Sequence, residues 1–160
     1  MAVKDILLLG NPILYEVSTP VNQNEVEQLL PKINLMFETV LDFRKKYGVG
    51  RAIAAPQIGM LKRIICLNTD QQVAMINPEL SDLSDELFEV WDDCMSFPNL
   101  LVKVKRHKKL TLSFFDLEWR KQVWHLEDNM SELIQHEYDH LDGILATQLA
   151  TDSQSFRWKT

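Results

Sequence analysis

His136-Glu137-Tyr138-Asp139-His140 leaves this chain little freedom in how it uses its C-terminal half. Four residues advance about 400° around a helix axis, so in a helix His136 and His140 share a face and can bind one metal ion together. Glu137 lies about 60° from His140 on the same wheel, beside such a metal rather than on it. A carboxylate so placed can take a proton from a water activated in the site. Helix signals surround the pentapeptide. Glu127, Asp128 and Glu132 gather toward the expected N-terminus, where the helix dipole favours negative charge, and Gly143 follows as a stop. Leu133, Ile134, Leu141 and Ile144 supply the apolar contacts. The competing reading, two ordinary histidines on an amphipathic helix, is weighed against the remainder of the chain.

At 160 residues the chain fits one domain with a sizeable core. No apolar run approaches the ~20 residues needed to cross a bilayer. Met1-Ala2-Val3-Lys4-Asp5 is not followed by a long apolar signal core, so a cytoplasmic location is expected. A net charge of −6 argues against broad electrostatic binding to nucleic acid. Lys103, Lys105, Arg106, Lys108 and Lys109 form a basic cluster, but they are interspersed with Val102, Val104 and Leu110 and read as the solvated face of strands. Two cysteines do not make a disulfide framework here. Cys66, inside an apolar run, reads as a small buried hydrophobe.

Residues 6–9 read as a short strand or extended segment, stopped by Gly10-Asn11-Pro12. Leu29, Leu30, Ile33, Met36, Phe37, Val40 and Leu41 recur at helical spacing; Pro31 suggests a start, and Arg44, Lys45 and Lys46 precede a stop at Tyr47-Gly48. The small-residue stretch from Gly48 to Gly59 reads as a packing loop, since it lacks the residues of a phosphate loop. Strands are expected over 63–67, 73–77, 87–90, 101–105, 110–115 and 122–126. Many strands and two substantial helices favour an α+β fold: largely antiparallel sheets packed around a central helix carrying His-Glu-x-x-His. The expected domain is 1–150, followed by a polar tail over 151–160 that Phe156 and Trp158 would anchor.

A catalytic metal needs a third protein ligand and an open position. Cys94, in Trp91-Asp92-Asp93-Cys94-Met95-Ser96, is the strongest candidate, because a thiolate with two imidazoles leaves the fourth tetrahedral position free. His107 and His125 sit in strand-like segments with no motif and read as structural.

These three stretches together resemble the peptide deformylase family, whose motifs run approximately G-x-G-h-A-A-x-Q, E-G-C-L-S and H-E-x-D-H, with h apolar. Gly50-Arg51-Ala52-Ile53-Ala54-Ala55-Pro56-Gln57, Asp92-Asp93-Cys94-Met95-Ser96 and His136-Glu137-Tyr138-Asp139-His140 are the counterparts, in family order, and the resemblance spans roughly residues 5–150. It implies one divalent metal on Cys94, His136 and His140: ferrous iron in the cell, with zinc, nickel or cobalt able to replace it. It further implies Glu137 as the acid–base group, and Gln57 and the Met95 backbone N–H as donors to the developing oxyanion. Gly50, Ala52, Ile53, Asp93 and Leu133 would lie against the substrate. Asp92 would pair with Arg106, though with a shorter reach than the family's glutamate. The implied reaction removes the formyl group from formyl-methionine on newly made polypeptides, carried out by a monomer with no membrane or specific nucleic-acid partner. Two rivals remain at this level: a zinc peptidase, which would need a third ligand after His140, and a noncatalytic metal- or peptide-binding descendant. Ala52 and Asp93 replace glycines of the family pattern, which makes substrate choice the point of divergence. A bare Asp93 carboxylate facing the substrate is expected to disfavour peptides with an acidic second residue; the alternative reading turns it to solvent, with only its backbone meeting the peptide.

Overall fold

A computed structural model describes residues 5–159; residues 1–4 and 160, the outer ends of the expected domain and tail, lie outside it. Helix α1 (Val26–Tyr47) buries Ile33, Met36, Phe37, Val40 and Phe43, the apolar stripe its sequence spaces at three and four residues. It closes at Gly48, whose φ of 77° suits glycine and whose N–H donates to the Arg44 carbonyl. Pro31 does not start this helix but lies inside it. Its missing N–H costs only the bond to Glu27, an exposed residue of the first turn.

The strands follow as β1 (Ala52–Ala54), β2 (Ile64–Asn68), β3 (Gln72–Ser81), β4 (Leu87–Asp92), β5 (Leu100–His107), β6 (Lys109–Phe115), β7 (Lys121–Glu127) and β8 (Phe156–Trp158), with α2 (Asp128–Leu141) between the last two. They form a five-stranded sheet in the order β1-β2-β3-β6-β7 and a three-stranded sheet in the order β4-β5-β8, antiparallel throughout. The fold is therefore α+β with antiparallel sheets.

Both faces of the larger sheet are covered. Ile64 and Cys66 of β2 point toward α1, while Ile65 and Leu67 point toward Leu133, Ile134 and Leu141 of α2. Burial on both faces explains why this strand reads as a continuous apolar run rather than an alternating one. A third cluster, built from Leu14, Cys94, Phe97, Val102, Val104, Leu145 and Ala146, lies against the smaller sheet. Helix α2 packs against strands of both sheets.

Three local expectations are corrected. Of the two readings for residues 6–9, the strand is not formed; Leu7 and Leu9 donate their N–H groups to the carbonyls of Gln57 and Ser96. The expected packing loop contains β1, whose Ala52, Ile53 and Ala54 pair with Leu67, Cys66 and Ile65. The expected polar tail contains β8, which pairs with Leu100–Val102 of β5. No helix among the described residues is long and apolar enough to cross a membrane.

Gly143 follows α2 at φ 74°, and a Cβ there would lie 2.5 Å from the Tyr15 carbonyl oxygen. Nothing lies within 4 Å of the corresponding position at Gly59, whose φ is 83°. Gly143→Ala should therefore lower stability by about 3 kcal/mol, from backbone strain plus overpacking, and Gly59→Ala by only about 1 kcal/mol, as read by urea denaturation.

Candidate metal centre

The C-terminal half of α2 is positioned by its N-terminal half, which is bonded to the end of β5. Gln135 exchanges two hydrogen bonds with the His107 backbone, accepting its N–H at 3.0 Å and donating to its carbonyl at 2.8 Å. Ser131 Oγ donates to the same carbonyl at 2.7 Å. The His107 ring lies 2.7 Å from the Ser84 carbonyl, and the His125 ring 3.2 Å from Thr111 Oγ1. Neither of these two histidines belongs to the cluster formed by the other two.

His136, Glu137 and His140 fall within α2 and are buried. His136 and His140 present their imidazoles to Cys94, two residues beyond the end of β4. One donor atom from each of Cys94, His136 and His140 lies within 4.8 Å of the others. Cys94 Sγ lies 3.3 Å from His140 Nε2. Gln57 Nε2 and the Ser96 backbone N–H both point at the sulfur, each at 3.4 Å.

One carboxylate orients this group. Asp92 Oδ2 lies 2.9 Å from His136 Nδ1 and 2.7 Å from Arg106 Nη2, and Arg106 Nη1 reaches Asp139 at 2.6 Å. Holding Nδ1 turns Nε2 of His136 inward as the remaining donor. Burial by itself would raise the Asp92 pKa, but His136 and Arg106 outweigh it and hold it at about 2. Burial would likewise lower His136, yet Asp92 and then Cys94 push it well above the ordinary imidazole value. His140 is held well below that value by burial and by His136, so its ring is neutral. Burial raises Glu137 to about 7, and its Oε1 has no hydrogen-bond partner among the described residues.

These residues fit a metal. Two imidazoles and one thiol sulfur converge at buried positions, and the group opens on a cavity of about 170 Å³ beside Glu137 and Gln57. Gly50, Ala52, Met95, Leu133 and Asp93 also line the cavity. Gly50 has φ 139°, and a Cβ there would press on Met95 and Phe43 at 3.2 Å. Ile53 is not brought to the cavity: alternation along β1 sends its side chain into the α1 core. Asp93 is not a bare charge, because Lys159 Nζ lies 2.8 Å from its carboxylate.

Several residues at the site escaped the sequence reading. Ser96 accepts from Gln57 Nε2 at 3.0 Å and was within reach as the last residue of the cysteine motif. Arg51 and Glu132 form an ion pair at 2.9 Å on the cavity wall. Glu132 lies one turn before His136, so its direction was readable and its partner was not. Phe43 and Val49 complete the wall and carry no motif.

The family model described as Polypeptide deformylase matches residues 3–155. Peptide deformylase 2 of Clostridium acetobutylicum is 35% identical over 153 residues, covering 95% of this chain and 98% of that protein. The peptide deformylase crystal structure from Thermotoga maritima aligns with a TM-score of 0.83 at 29% identity, covering 92% and 97% of the two chains. That of a peptide deformylase from Legionella pneumophila aligns at 0.82 and 31%, covering 91% and 85%.

The Glu137 pKa sets a sign for the metal-free protein. A carboxyl raised from 4.5 to about 7 binds its proton more tightly when folded. Its contribution is therefore greatest below the unfolded value and is lost as pH rises through 7. Compared with Glu137→Gln, metal-free parent should lose about 3 kcal/mol of relative stability between pH 4.5 and 7.5. Parallel stability–pH curves for the two proteins would contradict the assigned burial cost.

Proposed function

This chain belongs to the polypeptide deformylase family, and we propose that its deformylase activity is carried by Cys94, His136 and His140 as metal ligands, with Glu137 and Gln57 acting on the substrate. The reaction is hydrolysis of the formyl-amide at the N-terminal methionine of a newly made polypeptide, yielding formate and a free amine. The observation that carries the residue assignment is the convergence of three buried donor atoms beside a cavity lined by Cys94, His136 and Glu137, whose Oε1 has no hydrogen-bond partner among the described residues. A divalent metal bound there supplies Lewis-acid polarisation and lowers the pKa of water toward neutrality.

The chain's own residues account for the remainder. Glu137 takes the proton of the attacking water and returns one to the departing amine, a role suited to a buried carboxyl whose Oε1 has no hydrogen-bond partner among the described residues. Its position one residue after His136 sets it beside the metal ligands without making it one. Gln57 is held with Oε1 on the Ala54 N–H at 3.0 Å, which fixes Nε2 toward Cys94 and Ser96. From there it can donate to the formyl oxygen as charge develops, together with the Met95 backbone N–H. Asp92 positions His136, and Arg106 holds Asp92. Gly50, Ala52, Asp93 and Leu133 line the path of the peptide. The zinc-peptidase reading is not favoured, since the third donor comes from Cys94, upstream of the histidines. The resident metal is ferrous iron, and the protein works as a cytoplasmic monomer on chains leaving synthesis.

The test is formate release from a formyl-methionyl peptide by anaerobically prepared protein, with metal analysis on the same sample. One iron per chain is expected. Cys94→Ser should strip that metal, whereas Cys66→Ser should keep it, because Cys66 packs against Met36 away from the site. Equal metal loss in the two would remove Cys94 from the ligand set. Glu137→Gln should keep the metal and lose about 10²–10⁴ in kcat. Full activity in metal-loaded Glu137→Gln would refute the acid–base assignment.

A further inference from the structure

Four acidic residues line the cavity: Asp92, Asp93, Glu132 and Glu137. Three are matched to a cation. Asp92 has Arg106, Glu132 has Arg51, and Asp93 has Lys159. The third pair differs from the others in its origin. Its cation comes from the end of the chain, 66 residues away, and reaches the wall only because β8 is docked on β5.

The register of the smaller sheet explains the match. Arg157 pairs with Leu101, and Trp91 pairs with Lys103 two residues further along β5. The Arg157 guanidinium crosses this step to lie 4.2 Å from the Trp91 ring centroid. Lys159 lies two residues beyond Arg157, and Asp93 two residues beyond Trp91, so the same two-residue step along β5 separates the second pair. Lys159 donates its backbone N–H to the Asn99 carbonyl at 2.9 Å, continuing the ladder by one residue. It then repeats the crossing made by Arg157 and ends on Asp93 at 2.8 Å. The start of this segment is fixed as well: Ser155 is fully buried, accepts the Lys103 N–H on its carbonyl, and bonds Asp152 through its hydroxyl. The ammonium is delivered by a strand in register, not by a loose tail.

We infer that Lys159 is a specificity-determining residue of the deformylase site: it neutralises Asp93 on the cavity wall and so admits peptides whose second residue is acidic. Lys159 acts through Asp93 and is a positioning residue, not a catalytic one. Without it, Asp93 presents an unmatched negative charge to the incoming peptide. The pair is partly exposed, so the effect is modest and screened by salt. The inference rests on the function proposed above.

The experiment compares formyl-Met-Glu and formyl-Met-Gln peptides of otherwise equal sequence on metal-loaded protein. Two readouts are taken: kcat/KM for formate release, and Kd by competition against a fluorescent formyl-methionyl peptide. Lys159→Met retains the aliphatic stem and removes the charge. It should lower the acidic-to-neutral ratio about threefold at low ionic strength, and less at 0.5 M salt. Lys159→Arg should keep the parent ratio, and Asp93→Asn combined with Lys159→Met should restore it. An unchanged ratio in Lys159→Met overturns the inference. So does a drop that persists in the double variant, since the charge on Asp93 would then not mediate it. If the Kd ratios follow the expected pattern while even the parent releases no formate, the functional reading falls and this inference stands. If formate is released with ratios indifferent to Lys159, the reverse holds.

Discussion

The carboxylate of Asp92 accepts from two groups at once, Arg106 at 2.7 Å and His136 Nδ1 at 2.9 Å, where almost no water reaches. Nearly every feature of the site depends on that arrangement. Asp92 ends β4, Arg106 lies on β5, and His136 lies on α2, so one carboxylate ties both long strands of the smaller sheet to the helix. Arg106 extends the link to Asp139, three residues along α2 from His136. Burying such charges is expensive, and the cost is offset only when each has a partner with good geometry. Loss of one member would leave an uncompensated charge worth about 3–5 kcal/mol against the fold. A side chain one methylene shorter than the glutamate of the family pattern still closes this network.

Part of this was legible in the sequence for definable reasons. Histidines four apart project together in any regular helix, and the acidic start and glycine stop marked where α2 lies. The six longer strands carry enough β-branched and aromatic residues to be recognised alone. The two three-residue strands do not. Ala52–Ala54 has little strand propensity and exists because β2 offers it an edge, while all three residues of β8 are exposed and only pairing with β5 defines them. The position of Ile53 follows from the same blind spot. Once residues 52–54 are a strand, alternation sends Ile53 to the α1 side and leaves Ala52 on the side of the cavity. Lys159 was out of reach for a related reason, since its meeting with Asp93 depends on a pairing register that residue composition does not encode.

The charges around the cavity are arranged so that one carboxylate is treated differently from its neighbours. Arg106, Arg51 and Lys159 come from β5, from the segment before β1 and from the residue after β8, and each pairs with one acidic group of the cavity wall, Arg106 also holding Asp139. Glu137 receives none, and its Oε1 has no hydrogen-bond partner among the described residues. Burial can therefore act on it with little opposition and bring its pKa to about 7, while Asp92, equally buried but doubly paired, is driven to about 2. Two carboxyls on the wall of one cavity, one at the end of β4 and one on α2, thus acquire opposite tasks: one stays ionised and holds the frame, and the other binds its proton more tightly than an ordinary carboxyl. The burial of Glu137, left without an ion-pair partner among the described residues while its neighbours are paired, is what reserves the proton for that residue.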